Sequence, residues 1–192
     1  MSFLTFANAP NLLQARRSFL GRSGLLLSGA AVALLARQET LAAKGDESAA
    51  SDARILNTAL GAELEAVAAY QVGAESGLLQ KPVLDLAVTF QGHHKEHADL
   101  LSKTIIKLGG KPVAAKAKYT FPTETLKTQA DVLRFAAMLE KGAVSAYLGA
   151  VPLFGDGDLA KAAASILGDE AMHWAVLRYA LGEVPVPSAF VA

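Results

Sequence analysis

The chain has 192 residues, enough for one ordinary domain, and 18 basic residues balance 18 acidic ones. Four of the basic residues lie in the first 43 positions, so the remainder is mildly acidic, which excludes a basic nucleic-acid-binding surface. There is no cysteine, which excludes a disulfide framework and thiolate chemistry, and only 7% of residues are aromatic, with Ala and Leu abundant, a composition suited to helices.

Residues 1–43 read as a targeting segment rather than part of the fold. Arg16-Arg17-Ser18-Phe19-Leu20 is a twin-arginine pattern, a bacterial export address. The apolar run that follows, Gly24–Leu35, is a dozen residues, too short to span a bilayer as a helix. Small residues at Ala42-Ala43 suit cleavage, although Leu41 stands where a small residue is preferred. The expectation is a signal peptide over 1–43, the Tat export machinery as partner of the precursor, and a periplasmic or otherwise extracytoplasmic location for residues 44–192.

The rest reads as four helices. The first is expected from about Ser51, an N-cap residue type, with a stripe of Leu56, Leu60, Glu63, Val67, Tyr70 and Ala74 and a stop at Gly77. The second opens at Pro82 and carries Val83, Ala87, Phe90, His94, His97, Leu101, Ile105 and Leu108 on one face, ending at Gly109-Gly110. Residues 111–127, broken by Pro112 and Pro122, form a connection long enough to cross a bundle. The third helix follows a capping box at Thr128-Gln-Ala-Asp131, with Leu133, Ala137, Glu140, Val144 and Tyr147 inward. The fourth runs from about Asp158 to Leu181 and is stopped by Gly182; its stripe is Leu159, Ala163, Ile166, Glu170, His173 and Leu177. The tail after it is expected to be extended, with Phe190 packed on the bundle. These elements predict an all-α fold, an antiparallel four-helix bundle with a long crossover between helices two and three.

Two copies of one unit are visible. Glu63 precedes Tyr70 by seven residues and Glu140 precedes Tyr147 by seven; His94-Lys-Glu-His97 then follows Glu63 at thirty-one residues, and Glu170-Ala-Met-His173 follows Glu140 at thirty. Residues three apart share a helix face, so each pair points one way. Glu63, His94, His97, Glu140, Glu170 and His173 therefore converge on one interior, with no Lys or Arg in the stripes to neutralise three carboxylates. Buried charges are paired or bound to metal, and imidazole with carboxylate suits iron, manganese or zinc rather than calcium. Three of the four histidines fall in this set. Tyr70 and Tyr147 are expected to hydrogen-bond the carboxylates from behind. His93 reads as a flank residue, Asp99 as a weak candidate for orienting an imidazole, and Trp174 as packed core or interface.

The constellation from Ser51 to Leu181 resembles the ferritin-like superfamily of di-iron carboxylate bundles, in which two helices each supply a Glu and two supply a Glu-x-x-His pair. The resemblance implies Glu63 and Glu140 as terminal carboxylates, Glu170 as a bridging carboxylate, His97 and His173 as one imidazole per ion, and two iron ions as the cofactor. It departs at position 94, where a second bridging carboxylate would stand and His94 is found. The resemblance implies oxidant-handling or ferrous-iron oxidation chemistry at a variant dinuclear site; catalytic residues are not assigned, and a homo-oligomer is left open. The alternative is a non-catalytic cell-envelope stress or interaction bundle with a degenerate metal site.

Overall fold

The computed structural model describes residues 45–191, so the twin-arginine segment, with Arg16 and Arg17, lies outside the described residues. Helix α1 spans Gly45–Glu75, α2 Lys81–Lys107, α3 Gln129–Ala150 and α4 Gly157–Ala180, with 3-10 turns at Thr123–Thr125 and Val151–Leu153. No strand occurs among the described residues, and the four helices form the expected bundle. Packing is most extensive within two hairpins, α1 on α2 and α3 on α4.

Most helix ends follow local chemistry. Pro82 lies in the first turn of α2, where its missing N–H costs nothing. The capping box at α3 is formed: Thr128 Oγ1 accepts from the Asp131 amide at 3.2 Å, and Asp131 Oδ2 accepts from the Thr128 amide at 2.9 Å. Gly182 ends α4 at φ +75°, a conformation that glycine adopts without strain.

The start of α1 departs from expectation: the helix begins at Gly45, ahead of Ser51. The cause is tertiary. The buried Asp52 carboxylate accepts hydrogen bonds from the backbone amides of Gly155 at 3.0 Å and Asp156 at 3.2 Å, in the turn between α3 and α4. That contact anchors the polar first turns, and a Cβ at Gly155 would require the Ser48 hydroxyl to turn aside.

The crossover is pinned at both ends. Asn57 donates from Nδ2 to the Lys111 carbonyl at 3.0 Å and accepts from the Val113 amide at 2.8 Å. Farther on, Phe121 and Leu126 pack on Ala69, Phe135 and Leu139, closing one end of the α1–α3 seam.

The apolar core is in two main parts. One gathers Leu56, Leu60, Leu101, Ile105, Ala163 and Ile166; the other gathers Tyr70, Phe90, Leu133, Ala137 and Leu177. Burying a side chain such as Ile105 contributes roughly 1.5–3 kcal/mol, so the polar residues between these clusters are held by well-packed neighbours. The tail corrects another expectation. Phe190 is 86% exposed rather than packed. Arg178 Nε donates to the Val184 carbonyl at 2.8 Å and holds the start of the tail, after which Pro185 and Pro187 carry it away without amide donors.

Candidate metal centre

Antiparallel packing brings the six expected residues together. Across the α1–α3 seam, Tyr70 donates its hydroxyl to Glu140 Oε1, and Tyr147 donates to Glu63 Oε1 at 2.6 Å. Each tyrosine thus serves the carboxylate of the other half. Across the α2–α4 seam, Glu170 Oε1 lies 3.2 Å from His97 Nδ1 and 3.6 Å from His94 Nδ1. Glu63, His94, Glu140, Glu170 and His173 are buried, while His97 keeps 14% of its side chain exposed.

His94 occupies the centre. Its Nδ1 is 2.8 Å from Glu63 Oε2 and its Nε2 is 3.3 Å from Glu140 Oε1. A ring that donates to both carboxylates carries two protons and a positive charge. Burial opposes that charge, but hydrogen bonds to Glu140 and Glu63 and the negative charge of Glu140 and Glu170 outweigh it, and the His94 pKa is pushed up to about 11. The same contest raises His97 to about 9: burial opposes, and Glu170 and Glu63 prevail. His173 also rises to about 9, through Glu140 and Glu170 against burial. Burial likewise opposes ionisation of Glu140, yet the imidazoles of His173 and His94 and the positive charge of His94 hold its carboxyl well below the usual range. Burial, then the adjacent carboxylates, pushes both tyrosine hydroxyls well above their ordinary values, so they stay donors.

Hydrogen bonding leaves a remainder. His97 Nδ1, Glu140 Oε2, both oxygens of Glu170 and His173 Nδ1 are buried without a hydrogen-bond partner. The nearest imidazole–carboxylate contacts are within ion-pair distance but are not aligned as hydrogen bonds. Leaving such atoms unpaired costs about 1–3 kcal/mol each, and more when charged. A divalent cation would satisfy them together. The donors fall into two groups, Glu63–His94–His97–Glu170 and His94–Glu140–Glu170–His173, each with its ligand atoms within 4.8 Å of one another. Glu170 and His94 are common to both. Among the described residues, the ion-pair partners of Glu63, Glu140 and Glu170 are all histidines, so no Lys or Arg takes the place of a cation.

Two polar residues at this site escaped the sequence reading. His93, expected as a flank residue, places Nδ1 2.8 Å from His173 Nε2. Asp169 sets one oxygen, Oδ2, 3.3 Å from His93 Nδ1, 3.3 Å from His97 Nε2 and 3.2 Å from His173 Nε2. Asp99, the candidate for orienting an imidazole, instead pairs with Lys103 at 2.6 Å on the exposed face. The signal for Asp169 was present in its spacing, since it lies one turn before His173 and adjoins Glu170. Phe90 stacks on the His173 ring with centroids 4.0 Å apart, fixing its plane. Trp174 is packed as expected, against Phe90's cluster and between Lys141 and Arg178.

On the opposite side, the α1–α3 seam leaves a cavity of about 50 Å³ lined by small residues, among them Ala59, Ala62, Ala143 and Ala146, and reaching Glu63 and Glu140. The centre is therefore approached by an apolar cleft from α1–α3 and by a polar rim from α2–α4.

The fold has a solved counterpart. A conserved hypothetical protein from Mycobacterium tuberculosis superposes with a TM-score of 0.64 at 24% identity, over 76% of this chain and 99% of that one. No curated protein is significantly similar to the chain in sequence. The profile of the ferritin-like domain matches residues 51–183, a span that holds all four Glu- and His-bearing stripes and the crossover between them. A helical bundle with two Glu–Tyr helices, two ligand-pair helices and that match has one family to which it can be assigned, and the chain belongs to the ferritin-like domain proteins.

Proposed function

We propose that this chain is an exported metal-binding protein that holds iron at the buried Glu/His cluster and handles an oxidant of the dioxygen or peroxide class there. The observation that carries the reading is the set of five buried polar atoms without hydrogen bonds, on His97, Glu140, Glu170 and His173, all at the centre of the bundle. Glu63, His97 and Glu170 would hold one ion, Glu140, Glu170 and His173 the other, with manganese or zinc as chemically admissible occupants. Such an ion supplies a Lewis acid, and in the case of iron an electron, at an open coordination position. The chain's own residues do the rest. Tyr70 holds Glu140 by Oε1, which leaves Glu140 Oε2 to ligate; Tyr147 holds Glu63 by Oε1, and Glu63 Oε2 would ligate once His94 gives up the proton it shares with it. Glu170, free of hydrogen bonds, is able to serve both groups. The small-residue cleft gives a diatomic or peroxide oxidant room to approach Glu63 and Glu140.

His94 limits the site. A neutral imidazole offers one lone pair, so it can ligate in one group while its other nitrogen donates to the carboxylate of the other. With three carboxylates rather than four, the centre stabilises a highly charged oxidised metal pair less well than a symmetric one. The test is metal content. The protein is purified from the cell envelope fraction after expression as the full precursor, and transition metals per chain are counted by mass spectrometry beside Glu170→Gln. One to two irons per chain, lost in the variant, is the expected result; equal metal-free proteins of similar stability would end the reading. Export is tested separately, by fractionating cells that carry Arg16→Lys with Arg17→Lys, which should strand the precursor in the cytoplasm.

One observation favours a second reading. As imidazolium, His94 already pairs with both Glu63 and Glu140 without any ion. In that case the bundle is a cell-envelope scaffold with a hydrogen-bonded polar core, and Glu170→Gln leaves both metal content and stability nearly unchanged.

A further inference from the structure

We propose that His93 Nδ1, Asp169 Oδ2 and His173 Nε2 form a separate rim site for one imidazole-preferring divalent cation of the Zn²⁺, Fe²⁺ or Co²⁺ class. It lies on the α2–α4 side, outside the buried cluster. His93 keeps 40% and Asp169 24% of its side chain exposed, whereas the carboxylates of the buried cluster are at 3% or less. A cation arriving from this side meets these ligands first.

The three atoms form a closed triangle with edges of 2.8, 3.2 and 3.3 Å. Two donors bound to one ion at 2.0–2.1 Å stand roughly 2.9–3.4 Å apart, between octahedral and tetrahedral angles. His97 Nε2 lies 3.3 Å from the same Asp169 oxygen but is grouped with Glu63, His94 and Glu170 and not with the rim ligands. Hydrogen bonding cannot satisfy all three edges. Each ring nitrogen holds at most one proton at that atom and the carboxylate oxygen holds only lone pairs. If both nitrogens are protonated and point at Asp169, two N–H groups face each other along the 2.8 Å edge. If only one is protonated, a nitrogen lone pair faces another lone pair. A cation at the centre removes the conflict, because it takes one lone pair from each corner. Two imidazole nitrogens and one carboxylate favour a borderline transition ion over Ca²⁺ or Mg²⁺.

The site uses different atoms from the buried one but shares the His173 ring with it, so with both occupied that ring has released its N–H proton to solvent and binds as an imidazolate. His173 turns Nε2 to the rim and Nδ1 to Glu140 at 3.5 Å and Glu170 at 3.8 Å. His93 contributes to the rim alone. His93 is therefore the position at which the two sites can be told apart.

Metal-free protein is titrated with Co²⁺ by equilibrium dialysis, with visible absorption reporting coordination. The variants are His93→Ala, the pair Glu63→Gln with Glu140→Gln, and all three together; circular dichroism confirms that each is folded. The expected result is one Co²⁺ fewer per chain in His93→Ala than in the natural chain, and the rim ion retained in the Glu63/Glu140 pair but absent from the triple variant. A count unchanged by His93→Ala overturns the proposal, even if affinity falls tenfold, because His93 would then be a positioning residue for His173 and not a ligand. A natural chain that takes up no Co²⁺ overturns it as well. Loss of the buried ion alone, with the rim ion kept, would be read from the Glu63/Glu140 pair and bears only on the buried centre.

Discussion

The two halves of the bundle carry the same parts except at two adjacent positions. Helices α1 and α2 bring Glu63, Tyr70, His93, His94 and His97; α3 and α4 bring Glu140, Tyr147, Asp169, Glu170 and His173. The Glu–Tyr helices are equivalent, and each tyrosine reaches across to the opposite carboxylate. The ligand-pair helices differ: where the second half has Asp169-Glu170, the first has His93-His94. These unlike residues meet in space, His93 with Asp169 at 3.3 Å and His94 with Glu170 at 3.6 Å. A symmetric cluster would depend on a cation to offset a fourth carboxylate. This one draws part of its positive charge from the protein itself, through the His94 ring between Glu63 and Glu140.

The largest effect should come from erasing the difference. His94→Glu makes the halves alike at the centre and, in the metal-free protein, replaces the central imidazolium with a fourth carboxylate. We expect a loss of roughly 3–5 kcal/mol, the scale of an unpaired buried charge. Added Fe²⁺ should recover most of it and raise the metal count to two per chain. Thermal melting with and without Fe²⁺, beside metal analysis, measures both; a variant as stable as the natural chain in chelator would show that His94 is not charged.

A smaller effect sharpens the comparison between the Glu–Tyr helices. Tyr70→Phe and Tyr147→Phe each remove a buried hydrogen bond to a carboxylate, a loss of about 1.5–3 kcal/mol. The halves should not respond equally. The His94 contact left to Glu140 is 3.3 Å long, while the one left to Glu63 is 2.8 Å. Tyr70→Phe should therefore be the more destabilising in urea denaturation of the metal-free protein, and the reverse order would show that His94 leans on Glu140.

The smallest effect is graded by pH. In the metal-free protein the raised pKa values, about 11 for His94 and about 9 for His97 and His173, keep these rings protonated near neutrality. A ligating imidazole must be neutral, so metal uptake releases protons and apparent affinity rises with pH. The slope is roughly tenfold, or about 1.4 kcal/mol, per pH unit for each proton released, and it flattens above about pH 9 as His97 and His173 lose theirs unaided. Calorimetric titration in buffers of different ionisation enthalpy reads the proton number directly.

Much of this molecule was legible before any coordinates. The stripes of α2, α3 and α4, the capping box at Thr128, the stop at Gly182 and the convergence of Glu63, His94, His97, Glu140, Glu170 and His173 all follow from helical periodicity, which is a local property of the chain. The pairing of Tyr70 with Glu140 and of Tyr147 with Glu63 was foreshadowed by the repeated seven-residue step, though not its crossed form. Crossing depends on α1 and α3 running antiparallel, so that two turns along one helix correspond to two turns back along the other.

What only the tertiary structure decided concerns residues whose partners are distant and whose own helix gives no hint of them. Asp52 extends α1 backward because the Gly155–Asp156 amides lie beside it, about a hundred residues away in the chain. Phe190 stays in solvent because the tail, free of amide donors at Pro185 and Pro187, finds no groove to fill. His93 and Asp169 look like flank residues on separate helices, and become a cluster only when α2 and α4 set one flank against the other. Periodicity specifies which face of a helix is buried; the angle and register at which two helices meet, set by how their side chains interlock, specify which residues at the edge of that face come within bonding distance.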